Sequence, residues 1–146
     1  MTGFSAAKLK LRLSAMHIPL PEQSGYILKP HFYPYSPPGG ALTPNQVLPD
    51  VVPMDPDADF LCIAWFQSIG SPNTFTIDVS KSNRYLLFTA LNNAAISQNS
   101  FDPTMFPTPE WYPKSGGIPL NLIEINAASP AVQLIFCGVK LFRAIQ

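Results

Sequence analysis

Two histidines, His17 and His31, two cysteines, Cys62 and Cys137, and an acidic run at Asp55, Asp57 and Asp59 are the residues of this chain best suited to chemistry. Each histidine sits among prolines and aromatic residues, with no second ligand or nucleophile at short spacing. That context argues against a His/Cys metal site or a histidine base. Asp55-Pro56-Asp57-Ala58-Asp59 resembles the opening of a calcium loop, but Phe60 and Phe66 stand where the sixth-position glycine and twelfth-position glutamate would be. A solvated loop is the favoured reading, with a weak divalent-cation site as its alternative. Gly39-Gly40 and Gly116-Gly117 lack the context of a phosphate-binding loop and read as turns. The cysteines lie in apolar runs with no charge or histidine beside them, which fits buried thiols rather than a reactive pair. The residues therefore point to no catalytic centre, no cofactor and no metal.

Composition points toward assembly instead. Charged residues are 12% of the chain, about half the usual ~25%, while apolar residues are 47% and the formal net charge is zero. So few ionised groups do not clothe a monomer, and part of the exterior is expected to be neutral or covered by a partner. Nine basic residues balanced by nine acidic ones also argue against nucleic acid as the main ligand. No apolar run reaches the ~20 residues of a membrane-spanning helix, and the N-terminus lacks the layout of a secretion signal.

The elements that must position these residues are strands. Of 17 prolines, ten fall between Pro19 and Pro56 and five between Pro103 and Pro119, which excludes long helices from most of the chain. Between them, Phe60 to Ile69 is a nearly continuous apolar run. Thr74 to Ser80 alternates, with Phe75, Ile77 and Val79 on one face. Further strands are expected over Tyr26 to Tyr33 (at an edge, because of Pro30), Arg84 to Leu91, and a final pair at Ile118 to Asn126 and Ala131 to Ile145. Asn92 to Phe106 and Pro107 to Gly117 read as long loops. Val132 to Arg143 is apolar on both faces and must be covered twice, by its own core and by a loop, arm or second subunit. Gly138 within it suggests a bulge or a close backbone approach.

The expected fold class is all-β: an antiparallel β-sandwich, jelly-roll-like, with long Pro-rich loops and an extended N-terminal arm. Residues 1–24 form the arm and linker, and residues 25–146 the sandwich. In the arm Lys8, Lys10 and Arg12 alternate with Leu9, Leu11 and Leu13, the pattern of a strand, although the flanking alanines and Met16 leave a short helix open. The arm either adds a strand to a neighbouring subunit or forms the first strand of its own sheet. Leu9, Leu11 and Leu13, with Tyr33, Tyr35, Phe106, Trp111 and Tyr112 of the proline–aromatic segments, are the expected partner-contact residues.

The run Pro107-x-Pro109-x-Trp111-Tyr112-Pro113-x-Ser115-Gly116-Gly117-Ile118, then Leu122 to Asn126, then Val132 to Leu141, resembles small structural proteins of tailed-bacteriophage virions. These are the capsid decoration or cement proteins. The resemblance spans roughly residues 107–142. It implies a jelly-roll or related sandwich and a homo-oligomer, a dimer or trimer, that bridges major capsid protein subunits. It also implies a location in the virion after assembly in the host cytoplasm, with no catalytic residues to carry over. Two other readings make different demands. A carbohydrate- or receptor-binding module of a phage tail or adhesin requires Trp111 and Tyr112 to form an exposed platform. An enzyme subunit requires His31 or Asp57 to converge with acids in a concave pocket.

Overall fold

The computed structural model describes residues 26–43, 45–70, 73–81, 84–87, 89–125 and 131–143. The expected arm, with Leu9, Leu11 and Leu13, lies outside the described residues. Among the described residues there are nine strands: β1 (Tyr26–Tyr35), β2 (Val47–Val52), β3 (Asp59–Ile69), β4 (Phe75–Lys81), β5 (Arg84–Tyr85), β6 (Leu91–Asn92), β7 (Thr104–Tyr112), β8 (Ile118–Glu124) and β9 (Gln133–Arg143). They form two antiparallel sheets, β1-β9-β3-β7 and β2-β8-β4-β5, with β6 also pairing β4. The described residues hold no α-helix. The all-β sandwich read from the prolines and the period-2 runs is the observed architecture.

Pairing follows one long antiparallel ribbon. β1 pairs β9, β2 pairs β8, β3 pairs β7, and β4 pairs β5 and β6. The ribbon then closes on itself through β3·β9 and β4·β8. Ile118 to Asn126 and Ala131 to Ile145 were expected to pair, but β8 and β9 lie in different sheets. The Arg84 to Leu91 strand is reduced to two-residue pieces at either end, because Leu86 and Leu87 turn into the core.

Most strand prolines sort to the edges; Pro119, in the central β8, lies just beyond the last residue that pairs with β4. Pro30 and Pro34 are in β1, Pro49 in β2, and Pro107 and Pro109 in β7. Each of these strands pairs with one neighbour only, where a missing N–H can face away from the ladder. β7 corrects part of the expectation of long loops over Asn92 to Phe106 and Pro107 to Gly117: Thr104–Tyr112 is strand, while residues 96–103 and 113–117 are loop. It pairs with β3 through Glu110 to Tyr112 and again through Thr104 and Met105, and the register skips the stretch holding both prolines. Within that gap Thr108 N–H donates instead to the Leu86 carbonyl (3.3 Å).

The inter-sheet core is built from alternate residues of both sheets, among them Phe60, Cys62, Trp65, Phe75, Ile77, Val79, Leu122 and Phe136. Phe75, Ile77 and Val79 point inward, as their alternation predicts. Between Cys62 and Ala64 the β3·β9 register shifts, so Ile63 is the extra residue of a bulge. The bulge exchanges the faces of β3. Before it Phe60 and Cys62 point inward; after it Trp65 does, while Leu61, Ile63, Ala64 and Phe66 join a second cluster. Two tyrosines tie the sheets together: Tyr35 Oη donates to Asp50 Oδ2 (2.7 Å) and Tyr112 Oη to the Ser80 carbonyl (2.7 Å).

Candidate interaction surfaces

At one end of the sandwich the β2–β3 loop folds over β1 and β9 and brings together the acids singled out in the sequence. Lys140 points inward from β9, almost fully buried, and its Nζ donates to Asp55 Oδ2 (2.9 Å) and to Asp57 Oδ1 and Oδ2 (2.9 and 3.1 Å). The same ammonium lies 5.4 Å from the centre of the Tyr33 ring, and Tyr33 Oη accepts from the Asp55 N–H (3.2 Å). His31 Nε2 is 3.7 Å from Asp55 Oδ2, and its ring meets Tyr33 edge-on. His31, Asp55 and Asp57 thus do converge, but around a lysine that already fills the space a cation would take. Among the described residues no group of three His, Cys, Asp or Glu side chains could hold a metal ion.

Electrostatics fit a clamp. Burial alone would lower the Lys140 pKa, but its hydrogen bonds to Asp55 and Asp57 outweigh burial and hold it above the ordinary value. A nucleophilic or general-base lysine needs the opposite shift. The Lys140 hydrogen bond holds the Asp57 carboxyl below its ordinary range, and burial followed by the Lys140 charge keeps His31 low and therefore neutral near pH 7.

This pairing predicts a pH dependence. A depressed carboxyl contributes stability above its ordinary pKa of 3.8, lost as pH falls through the lower folded value. A raised lysine contributes below its ordinary 10.5, lost as pH rises through the higher folded value. The urea midpoint of the native chain minus that of Lys140→Met is therefore expected to be constant near neutrality and to shrink at both extremes. Packing differences between the two side chains cancel in that comparison. A difference that stays flat down to pH 2 would show that the clamp does not contribute.

The proline–aromatic residues expected to contact a partner are mostly interior. Phe106 and Tyr112 are 1% exposed, and Tyr33 and Tyr35 are 5% exposed. Their alternate positions on β7 and β1 direct them into the core, and each tyrosine hydroxyl has a partner there. Trp111 is the exception. Adjacent to Tyr112 in a strand, it points the other way and is half-buried against the outer cluster. The Trp111–Tyr112 platform required for stacking on a sugar is therefore not formed. Sequence reasoning missed this because Thr104 to Tyr112 was read as loop, where neighbouring rings can share a face.

The two cysteines also divide between faces. Both are free and buried, with Cys62 in the inter-sheet core and Cys137 in the outer cluster. Burial pushes the Cys137 thiol up to about 12, and burial followed by the nearby Cys137 raises Cys62 as well.

What the fold presents outward is a neutral face on the second sheet. β2 and β8 place Val47 beside Ile123, Pro49 beside Asn121 and Val51 beside Pro119, and β4 continues the first two rows with Thr76 and Asp78. Val47 is 62% exposed, Val51 48% and Ile123 41%. Asp78 is the one charged side chain in these rows, and burial raises its pKa. Sequence reasoning missed this face because Val47 to Val52 sits in the proline-rich stretch and its apolar residues alternate around Pro49. The signal was there: Val47, Pro49 and Val51 alternate with Leu48, Asp50 and Val52. A separate apolar cavity of about 320 Å³ lies beside β7, lined by Leu87, Leu91, Ala95, Thr104, Met105 and Pro107.

Among the described residues no helix is long and apolar enough to cross a membrane. No family model, curated protein or solved structure matches this chain.

Proposed function

We propose that this chain is a structural protein of a virion, decorating or cementing a bacteriophage capsid by bridging major capsid protein subunits through non-covalent contacts. The observation that carries the reading is the outward face of β2, β8 and β4, where exposed Val47, Val51 and Ile123 share their rows with a single charged side chain, Asp78. At ~25 cal/mol per Å² of apolar area, such a face gains by being covered, and repetition over a shell multiplies a modest contact.

Two further observations support it. The ribbon pairing of β1 with β9, β2 with β8, β3 with β7 and β4 with β5 and β6 is what a jelly roll would contain, an architecture recurrent in viral capsid and lectin domains. Prolines on β1, β2 and β7 remove N–H groups from these edge strands, which blunts strand addition and leaves faces as the surfaces for association. Self-association into a dimer or trimer would use the same face.

The test is incubation of the purified protein with empty capsids lacking it, followed by co-sedimentation. The native chain is expected to bind saturably, and the Val51→Lys/Ile123→Lys double variant at least about tenfold more weakly. Each substitution sets a charge where a neighbour would desolvate it. Failure of the native chain to bind any shell, or equal binding by the variant, would remove this reading.

A further inference from the structure

The outer face of the β1-β9-β3-β7 sheet is as apolar as the core. Leu28, Leu61, Ile63, Ala64, Phe66, Ile135, Cys137 and Val139 form a buried cluster there, joined by partly buried Phe32, Met105, Trp111 and Leu141. Every member comes from β1, β3, β7 or β9, so among the described residues the other sheet contributes nothing to it. Yet Ile63 and Cys137 are 0% exposed, Leu61 1% and Val139 2%, a burial reached within one chain. A pleated sheet does not shield its own face to that degree; something lies on it.

We infer that this face is the seat of the chain's own N-terminal segment, residues 1–25. Four strands at ~4.8 Å spacing present a face about 14 Å across. Outside the described residues the chain has residues 1–25, 126–130, 144–146 and isolated ones and twos. Residues 126–130 are only five and are tethered at both ends, to β8 in one sheet and β9 in the other, so they are too few to cover a four-strand face as well. Residues 1–25 do, and they end at Tyr26, the first residue of β1 at the edge of this same sheet. Their content also fits: Phe4, Leu9, Leu11, Leu13, Met16, Ile18 and Leu20 are available for the face, and Glu22 is their one acid. Lys8, Lys10 and Arg12 alternate with the leucines and can keep their charges in water. The segment seats on the sheet that follows it, rather than extending a neighbour's edge.

The test uses the full chain. In a Cys62→Ala background Cys137 is the single thiol, and Leu9→Cys, Leu11→Cys and Leu13→Cys are introduced one at a time and oxidised mildly with copper phenanthroline. At least one of the three is expected to give a disulfide to Cys137 within the chain. Its yield should be unchanged over a hundredfold dilution. A disulfide between chains whose yield falls on dilution would assign the face to a second copy's segment and overturn the inference. No cross-link at any of the three positions would overturn it as well. A second measurement follows labelling of Cys137 by a maleimide in the Leu9→Asp/Leu11→Asp/Leu13→Asp variant, with near-ultraviolet circular dichroism of Trp65, read in a Trp111→Phe background, reporting an intact core. Labelling at least about tenfold faster than in the native chain is expected, and an unchanged rate with an intact core would contradict it. Neither readout involves a capsid, so their failure is distinct from failure of the proposed function.

Discussion

Gly138→Ala is expected to cost at least about 3 kcal/mol, enough to leave much of the chain unfolded or insoluble. Gly138 faces Cys62 across the β3·β9 ladder, immediately before the bulge at Ile63. A methyl group there would run into the Leu61 carbonyl oxygen and would lie 2.9 Å from the Phe60 ring. The obstacle is the backbone of a central strand buried on both faces, so no flexible side-chain end can swing aside. Gly39 provides the contrast. Its φ is +78° but no atom lies within 4 Å of an added Cβ, so Gly39→Ala is expected to cost only about 1 kcal/mol, from the left-handed backbone alone. Urea denaturation of the two variants separates close packing from conformation. Equal costs would show that the β3·β9 approach is not as tight as described.

The second large effect is at Trp65. Its ring is 4.8 Å from Phe106 and 5.8 Å from Phe136, and the three form the aromatic centre of the core. Trp65→Ala is expected to cost about 3–5 kcal/mol through the cavity it leaves. Trp65→Phe should cost far less than its lost volume suggests. Trp65 Nε1 is buried with no hydrogen-bond partner, and phenylalanine removes that donor, whose burial costs about 1–3 kcal/mol. Midpoints from urea or thermal unfolding check both. If Trp65→Phe is as damaging as Trp65→Ala, Nε1 makes a bond that stabilises the native state.

The β-sandwich was legible where period and burial agree. Phe75, Ile77 and Val79 alternate cleanly because β4 has one face on the core, and the unbroken apolar run of β3 reflects coverage on both faces. Gly138 announced both of its roles, the close approach and the bulge opposite it. Edge strands were the hidden part. β2 and β7 carry prolines, which local reasoning treats as strand breakers, yet an edge needs only one hydrogen-bonded side. Missing β7 had a direct consequence, since a loop would have let Trp111 and Tyr112 share a face. The Lys140 clamp was illegible for another reason. Lys140 and Asp57 stand 83 residues apart, and only the β3·β9 pairing brings the β2–β3 loop over that lysine. Long-range electrostatics of this kind have no local signature.

The same geometry explains how a chain with 12% charged residues arranges its surface. One sheet's outer face is apolar and buried within the chain, while the other's carries Asp78 as the single charge in its β2-β8-β4 rows and is open at Val47, Val51 and Ile123. Association through the open face would rest on apolar burial and change little with salt, unlike contacts between opposite charges. Imaging of capsids saturated with the purified protein, with the sandwich fitted into the added density, addresses this most directly. The account predicts that the β2-β8-β4 face abuts a shell subunit or a second copy. Density in which Val47, Val51 and Ile123 face open solvent, or no added density at all, would contradict it.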